Sequence, residues 1–141
     1  MGADTYQDIE EHKADMTIIA AAPAILSDEE QKLFLKSLFA ADLRTLALKS
    51  TDPSRKPYVN SALLGFNVMH EVGIITNSDG NWIYDDNSEK VQQFFARMRE
   101  IMKNDLIPAY DEKSPLKAQS YIGKMFIESE FTNAVENKLN E

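Results

Sequence analysis

Apolar side chains recur along this chain at steps of three and four residues for most of its length, with one short stretch of alternation in the middle. Over residues about 4–22, Tyr6, Ile9, Met16, Ile19 and Ala20 keep a helical step. Pro23 is expected to stop or kink that helix. Ser27-Asp28-Glu29-Glu30 then matches a capping box, with an acidic first turn that suits the helix dipole. The helix it opens should run to about Lys49. Its apolar members, among them Leu33, Phe34, Leu35, Leu38, Phe39 and Leu43, cover more than one face, which predicts a central helix packed on several sides.

Two prolines and small polar residues predict a loop over residues 51–57, carrying the basic pair Arg55 and Lys56. From Tyr58 to Thr76 the pattern supports two readings. Asn60 would cap a helix over 61–71 that ends at Gly73, yet Phe66, Val68, His70, Val72 and Ile74 also alternate as in a strand. Beyond it, two β-prone runs flank Asn77-Ser78-Asp79-Gly80, which predicts a hairpin at about 74–84. Ser88 is expected to cap a helix to about Asn104, with Val91, Phe94, Phe95, Met98 and Ile101 on one face. Ser114-Pro115 should open a last helix to about Leu139, weakened locally by Gly123. The expected fold is mainly α: one domain over residues 1–141, a compact bundle of four to five helices with one small β-hairpin.

Composition narrows the class. With 43% hydrophobic residues and only 5 Gly and 5 Pro in 141, collagen-like and wholly disordered chains are excluded. The absence of cysteine excludes disulfides, thiol catalysis and Cys-based metal sites, and it fits a reducing compartment. Net charge is −8, falling mostly on residues 1–87. That balance argues against a nucleic-acid surface, which needs Lys and Arg on phosphates. Acidic residues crowd the first 15 positions, the wrong sign for a secretion signal, and the longest apolar run, Met16 to Leu26, is far short of a membrane span. A cytoplasmic protein without membrane contact is expected.

No residue pattern specifies a reaction. His12 and His70 are the only histidines, each within an apolar pattern, so packing is a simpler role than metal ligation. Read as a calcium loop, 75–86 would place Ile75 where a carboxylate is needed. Neither a GxSxG elbow nor a phosphate-binding glycine loop is present. Asp85 and Asp86 precede a helix, where negative charge serves capping. No enzymatic activity, cofactor or metal is expected.

The order helix, loop, apolar helix, Gly-containing turn and Trp82-Ile83-Tyr84 resembles a winged helix over residues 28–87. That resemblance implies a DNA-binding transcriptional regulator as the alternative function. The departures fall where DNA readers act: Ser61 to Glu71 holds no Lys or Arg, and the wing carries Asp79, Asp85 and Asp86. The favoured expectation is a non-catalytic protein-binding module, an adaptor, secretion chaperone or inhibitor of the immunity-protein kind. Its contact residues would be Trp82, Tyr84, Asp79, Asp85 and Asp86, aromatic and acidic groups on an exposed hairpin, with Arg55 and Lys56 behind them. Its partner would carry a basic surface, and the two heptads of helix 88–104 offer a homodimer seam.

Overall fold

The computed structural model describes the backbone of residues 3–111 and 115–141, and side chains over 10–109 and 116–141. The fold is mainly α with one hairpin, as expected, but the chain divides into more helical segments than four or five. In order they are α1 (Ala3–Ile25), α2 (Asp28–Leu48), a 3-10 turn (Pro53–Arg55), α3 (Lys56–Glu71), β1 (Ile75–Ser78), β2 (Asn81–Tyr84), α4 (Ser88–Ile101), a π-helical turn (Met102–Leu106), α5 (Ile107–Asp111), α6 (Pro115–Met125) and α7 (Glu130–Leu139). Among the described residues no helix is long and apolar enough to cross a membrane.

Several boundaries depart from expectation for local reasons. Pro23 lies inside α1, close enough to its end that one lost backbone bond is tolerated, and Leu26 N–H still reaches Ala22 O at 2.8 Å. The capping box at α2 is present, Glu30 N–H donating to Ser27 Oγ at 3.2 Å and Ser27 N–H to Glu30 Oε1 at 3.0 Å. The ambiguity over 58–72 resolves as helix. It starts earlier than expected, at Lys56, with Pro57 in its first turn, so Asn60 caps nothing. Gly73, at φ +83°, closes α3 in a Schellman motif, with Ile74 N–H on Met69 O at 2.8 Å and Gly73 N–H on His70 O at 3.1 Å. Asp79 and Gly80, at φ +52° and +84°, form the two-residue turn that a right-twisted hairpin favours.

Asn87, not Ser88, caps α4, accepting from Lys90 N–H at 2.9 Å. The helix also runs past Asn104, because the π turn bonds Ile107 N–H to Met102 O and carries the chain past Pro108, which has no N–H to donate. The expected last helix is two. Ser129 starts α7 with a second capping box, Thr132 N–H donating to its Oγ at 3.0 Å. Asn67 of α3 pins that break, donating from Nδ2 to Ile127 O at 3.0 Å and accepting from Ser129 Oγ–H at 2.7 Å. Ser114, the expected cap of the previous helix, lies outside the described residues.

The central helix is α3 rather than α2. Ala62 to Phe66, Val68 and Met69 are all buried, packed on α1, α2, α4, α7 and the hairpin. Small side chains at 61, 62 and 65 let neighbouring helices approach α3 closely. By contrast α2 keeps only Leu35 and Leu46 of its leucines fully buried and leaves Leu33 63% exposed. Phe94, Phe95, Met98 and Ile101 of α4 complete the core with Met16 and Ile19 of α1. The apolar face of α4 is therefore spent inside the chain, and a dimer through this helix would have its polar face to use.

Candidate functional site

The hairpin residues do not form the exposed aromatic tip expected of them. Pairing of Ile75 with Tyr84 and Asn77 with Trp82 sends both aromatics inward and leaves Ile83 on the solvent side. Trp82 is half-buried with its ring 5.8 Å from Phe131, and Tyr84 lies 5.2 Å from Phe39. Trp82 also walls an apolar groove of about 260 Å³ with Phe39, Leu43, Val135 and Leu139. Asp79 is exposed at the turn, whereas Asp85 serves α4, its Oδ2 accepting from Lys90 Nζ at 2.7 Å. Asp86 Oδ2 lies 3.8 Å from Lys36 Nζ, and together with burial it pushes the Tyr84 hydroxyl up to about 12, burial being the larger cause. Arg55 pairs with Asp52 at 3.4 Å, and Lys56 opens α3. Those two basic residues sit at the far end of α3 from the hairpin, about 24 Å away along the 16-residue helix. One surface does not unite all seven.

A second constellation lies where α1, α2 and α3 meet, and it is the chemically unusual part of the molecule. Asp42 of α2 is 9% exposed, and its Oδ2 rests against Gly65 with no hydrogen-bond partner. Gly65 makes that position possible, since a Cβ there would fall 2.7 Å from Asp42 Oδ2. Asp15 of α1, Thr45 of α2 and Ser61 of α3 line the same cavity, of about 180 Å³. The remaining wall is largely apolar, with Ile19, Phe34, Leu38 and Met98 inside and Ile18 and Tyr58 exposed at the mouth.

A hydrogen-bonded chain runs from this cavity into the core. Tyr121 of α6 lies 2.6 Å from His12 Nε2, and His12 Nδ1 lies 2.8 Å from Ser61 Oγ. The Ser61 hydroxyl in turn neighbours the Asp15 carboxylate and favours its ionised form. With a neutral ring one nitrogen donates and the other accepts; the direction in which Tyr121 O–H donates to Nε2 and Nδ1–H donates to Ser61 Oγ leaves the Ser61 proton free to face Asp15. Burial holds the imidazole neutral, lowering its pKa from 6.5 to about 3, and it raises that of Tyr121. Burial also raises the pKa of Asp42 well above the usual carboxylate range, and the nearby Asp15 charge adds to it. Asp15 is raised as well, by burial first and by Glu11 in smaller part, against the opposing hydrogen bond from Ser61.

Ser61 beside His12 has the look of an activated nucleophile, but its surroundings do not suit one. It sits within α3, where backbone N–H groups are committed to the helix, and its neighbours in the cavity are acids that would oppose a developing oxyanion. Among the described residues no group of three or more His, Asp or Glu side chains is placed to hold a metal ion. What the cavity offers is a pair of under-compensated carboxyl groups behind an apolar mouth. His12, Asp15, Asp42, Ser61, Gly65 and Tyr121 were not singled out as a site from the sequence, because they lie up to 109 residues apart. Two local signals were there: a lone acid inside the apolar stripe of α2, and a glycine in the middle of a helix. Compared with protein-family models, curated proteins and solved structures, the chain matches none.

Proposed function

We propose that this protein is a non-catalytic binding module, of the adaptor, secretion-chaperone or inhibitor kind, that seats a Lys or Arg side chain of a basic protein partner in the Asp15–Asp42 cavity. The observation that carries this reading is the buried Asp42 carboxyl whose Oδ2 has no partner. Leaving such a group unsatisfied costs about 1–3 kcal/mol, and an arriving cation would offset that cost. The exposed apolar mouth favours a macromolecular partner, since well-packed anchors ringed by water-excluding contacts dominate protein interfaces. A net charge of −8 would speed encounter with a basic surface. In this reading Asp79, Asp85 and Asp86 contribute to the acidic field, while Trp82 and Tyr84 seat the hairpin on the core. A DNA-reading role is disfavoured because α3, the would-be recognition helix, is packed over Ala62–Met69 against α1, α2, α4, α7 and the hairpin. A cysteine-free acidic chain suits a reducing, cytoplasmic setting.

The test is peptide display against wild type and Asp42→Leu, a side chain of the same shape without charge. Wild type should enrich sequences with Lys or Arg flanked by apolar residues, and Asp42→Leu should not. Equal enrichment on both proteins, or no preference for a cation, would refute the assignment.

A further inference from the structure

The cavity's own chemistry narrows the cation further. We infer that the Asp15–Asp42 cavity is a site for a primary alkylammonium group, the head of a Lys side chain or of a free alkylamine, in preference to a guanidinium. This rests on the binding reading above and specifies its ligand. The oxygens that line the cavity come from three helices: Asp15 from α1, Asp42 and Thr45 from α2, and Ser61 from α3. Acceptors held on three separate elements are not tied to one plane. An ammonium presents three donors from one compact centre and suits that arrangement, whereas a guanidinium presents a planar fork that needs coplanar acceptors.

The walls select the rest of the ligand. Ile19, Leu38, Phe34 and Met98 offer only apolar contact along the cavity's sides, matching an unbranched alkyl stem behind a charged head. Asp15 shares the cavity lining with Ser61, whose hydroxyl is itself held by His12, and His12 by Tyr121. One carboxyl thus has a fixed hydroxyl in the same lining, and the other, Asp42, lines the cavity and holds a buried oxygen with no partner. Acceptors already in place and lacking a partner are what a small cation binds with least reorganisation, and its arrival would favour the ionised form of Asp42.

The experiment uses the full chain and two sets of probes, read by calorimetry and by amide NMR shifts. n-Butylammonium should bind saturably, with shifts confined to residues 15–19, 38–45 and 61–65. n-Butylguanidinium should bind about tenfold more weakly and n-butanol not measurably, a tenfold step being 1.4 kcal/mol. Asp42→Leu should abolish ammonium binding, and Asp15→Asn should weaken it about tenfold while thermal unfolding reports that both variants are folded. Equal or tighter guanidinium binding would overturn the preference. Saturable binding of Ca²⁺ or Mg²⁺ that displaces the amine would overturn the ligand class. The second set is a Lys-centred apolar peptide and its Arg counterpart. A peptide that binds through Asp42 with Arg as well as Lys, while butylammonium does not bind, would sink this inference and leave the binding-module reading standing. If neither amine nor peptide binds, both fail.

Discussion

His12 should make this protein acid-sensitive in a pH range where most carboxylates are still ionised. The ring is 1% exposed, held at both nitrogens by Tyr121 and Ser61, and met edge-on by Phe126 with centroids 4.6 Å apart. Burial lowers its pKa from 6.5 to about 3. Between those values the unfolded chain binds a proton that the folded chain does not, so stability falls as pH falls. The contribution is fully present above 6.5 and lost progressively toward pH 3. Each pH unit within the window is worth about 1.36 kcal/mol, which gives a loss of about 2 kcal/mol between pH 7 and pH 5. Asp42 and Asp15 act in the opposite sense, because their raised values mean that the folded state binds more protons there. A difference measurement separates the two. Urea unfolding of wild type and of His12→Gln at pH 7, 6 and 5 should show the wild-type advantage shrinking by about 2 kcal/mol across the series. If it stays constant within about 0.5 kcal/mol, the usual scatter of such differences, the ring is not buried neutral and the chain of hydrogen bonds is drawn wrongly.

Other outcomes follow from the same packing. Asp42→Leu should raise stability at pH 7 by about 1–3 kcal/mol in urea unfolding, since it replaces an unpartnered buried carboxyl by an apolar group of the same shape; destabilisation would show that Asp42 is satisfied. Trp82→Ala should cost about 2–3 kcal/mol, somewhat less than a fully buried aromatic would, while Ile83→Ala on the outer face should change stability by less than about 0.5 kcal/mol. Equal losses at the two positions would contradict the hairpin register. Asn67→Ala should cost about 1–2 kcal/mol and speed amide exchange at residues 126–132, because it frees the break between α6 and α7.

The fold was legible where local chemistry decides it. Ser27 to Glu30 announced α2, Asp79-Gly80 announced the hairpin, and the two-face pattern of residues 88–101 announced α4. Errors arose where tertiary contact overrides a local signal. Pro23 did not stop its helix, because it falls near the terminus, and the helix from Ser88 did not end at about Asn104, because a π turn carries it on. The break before α7 was missed because Ser129 and Thr132 act together with Asn67 of another helix, 62 residues away from Ser129. Choosing α2 over α3 as the central helix came from counting large apolar side chains. Small ones, Ala62 and Gly65 among them, are what let a helix sit in the middle. Trp82 was offered as an exposed anchor, yet strand pairing turned it inward. The cavity was hidden for a different reason: its polar members are spread over α1, α2, α3 and α6, and only the packing of those helices brings them together.

The most direct test of the central claim is to titrate the Asp42 carboxyl itself by ¹³C NMR of its Cγ, without and with n-butylammonium. The groups lining the cavity beside it are Asp15 of α1, with Glu11 acting on Asp15, Tyr58 and Ser61 of α3, and Met98 of α4. In the free protein the midpoint should lie well above the ordinary carboxylate range, because burial and Asp15 both disfavour the charge. With the amine bound it should move down, as the ammonium supplies the missing partner. An ordinary midpoint in the free protein, or one that the amine leaves unmoved, would contradict the claim that Asp42 is held uncompensated to receive a cation.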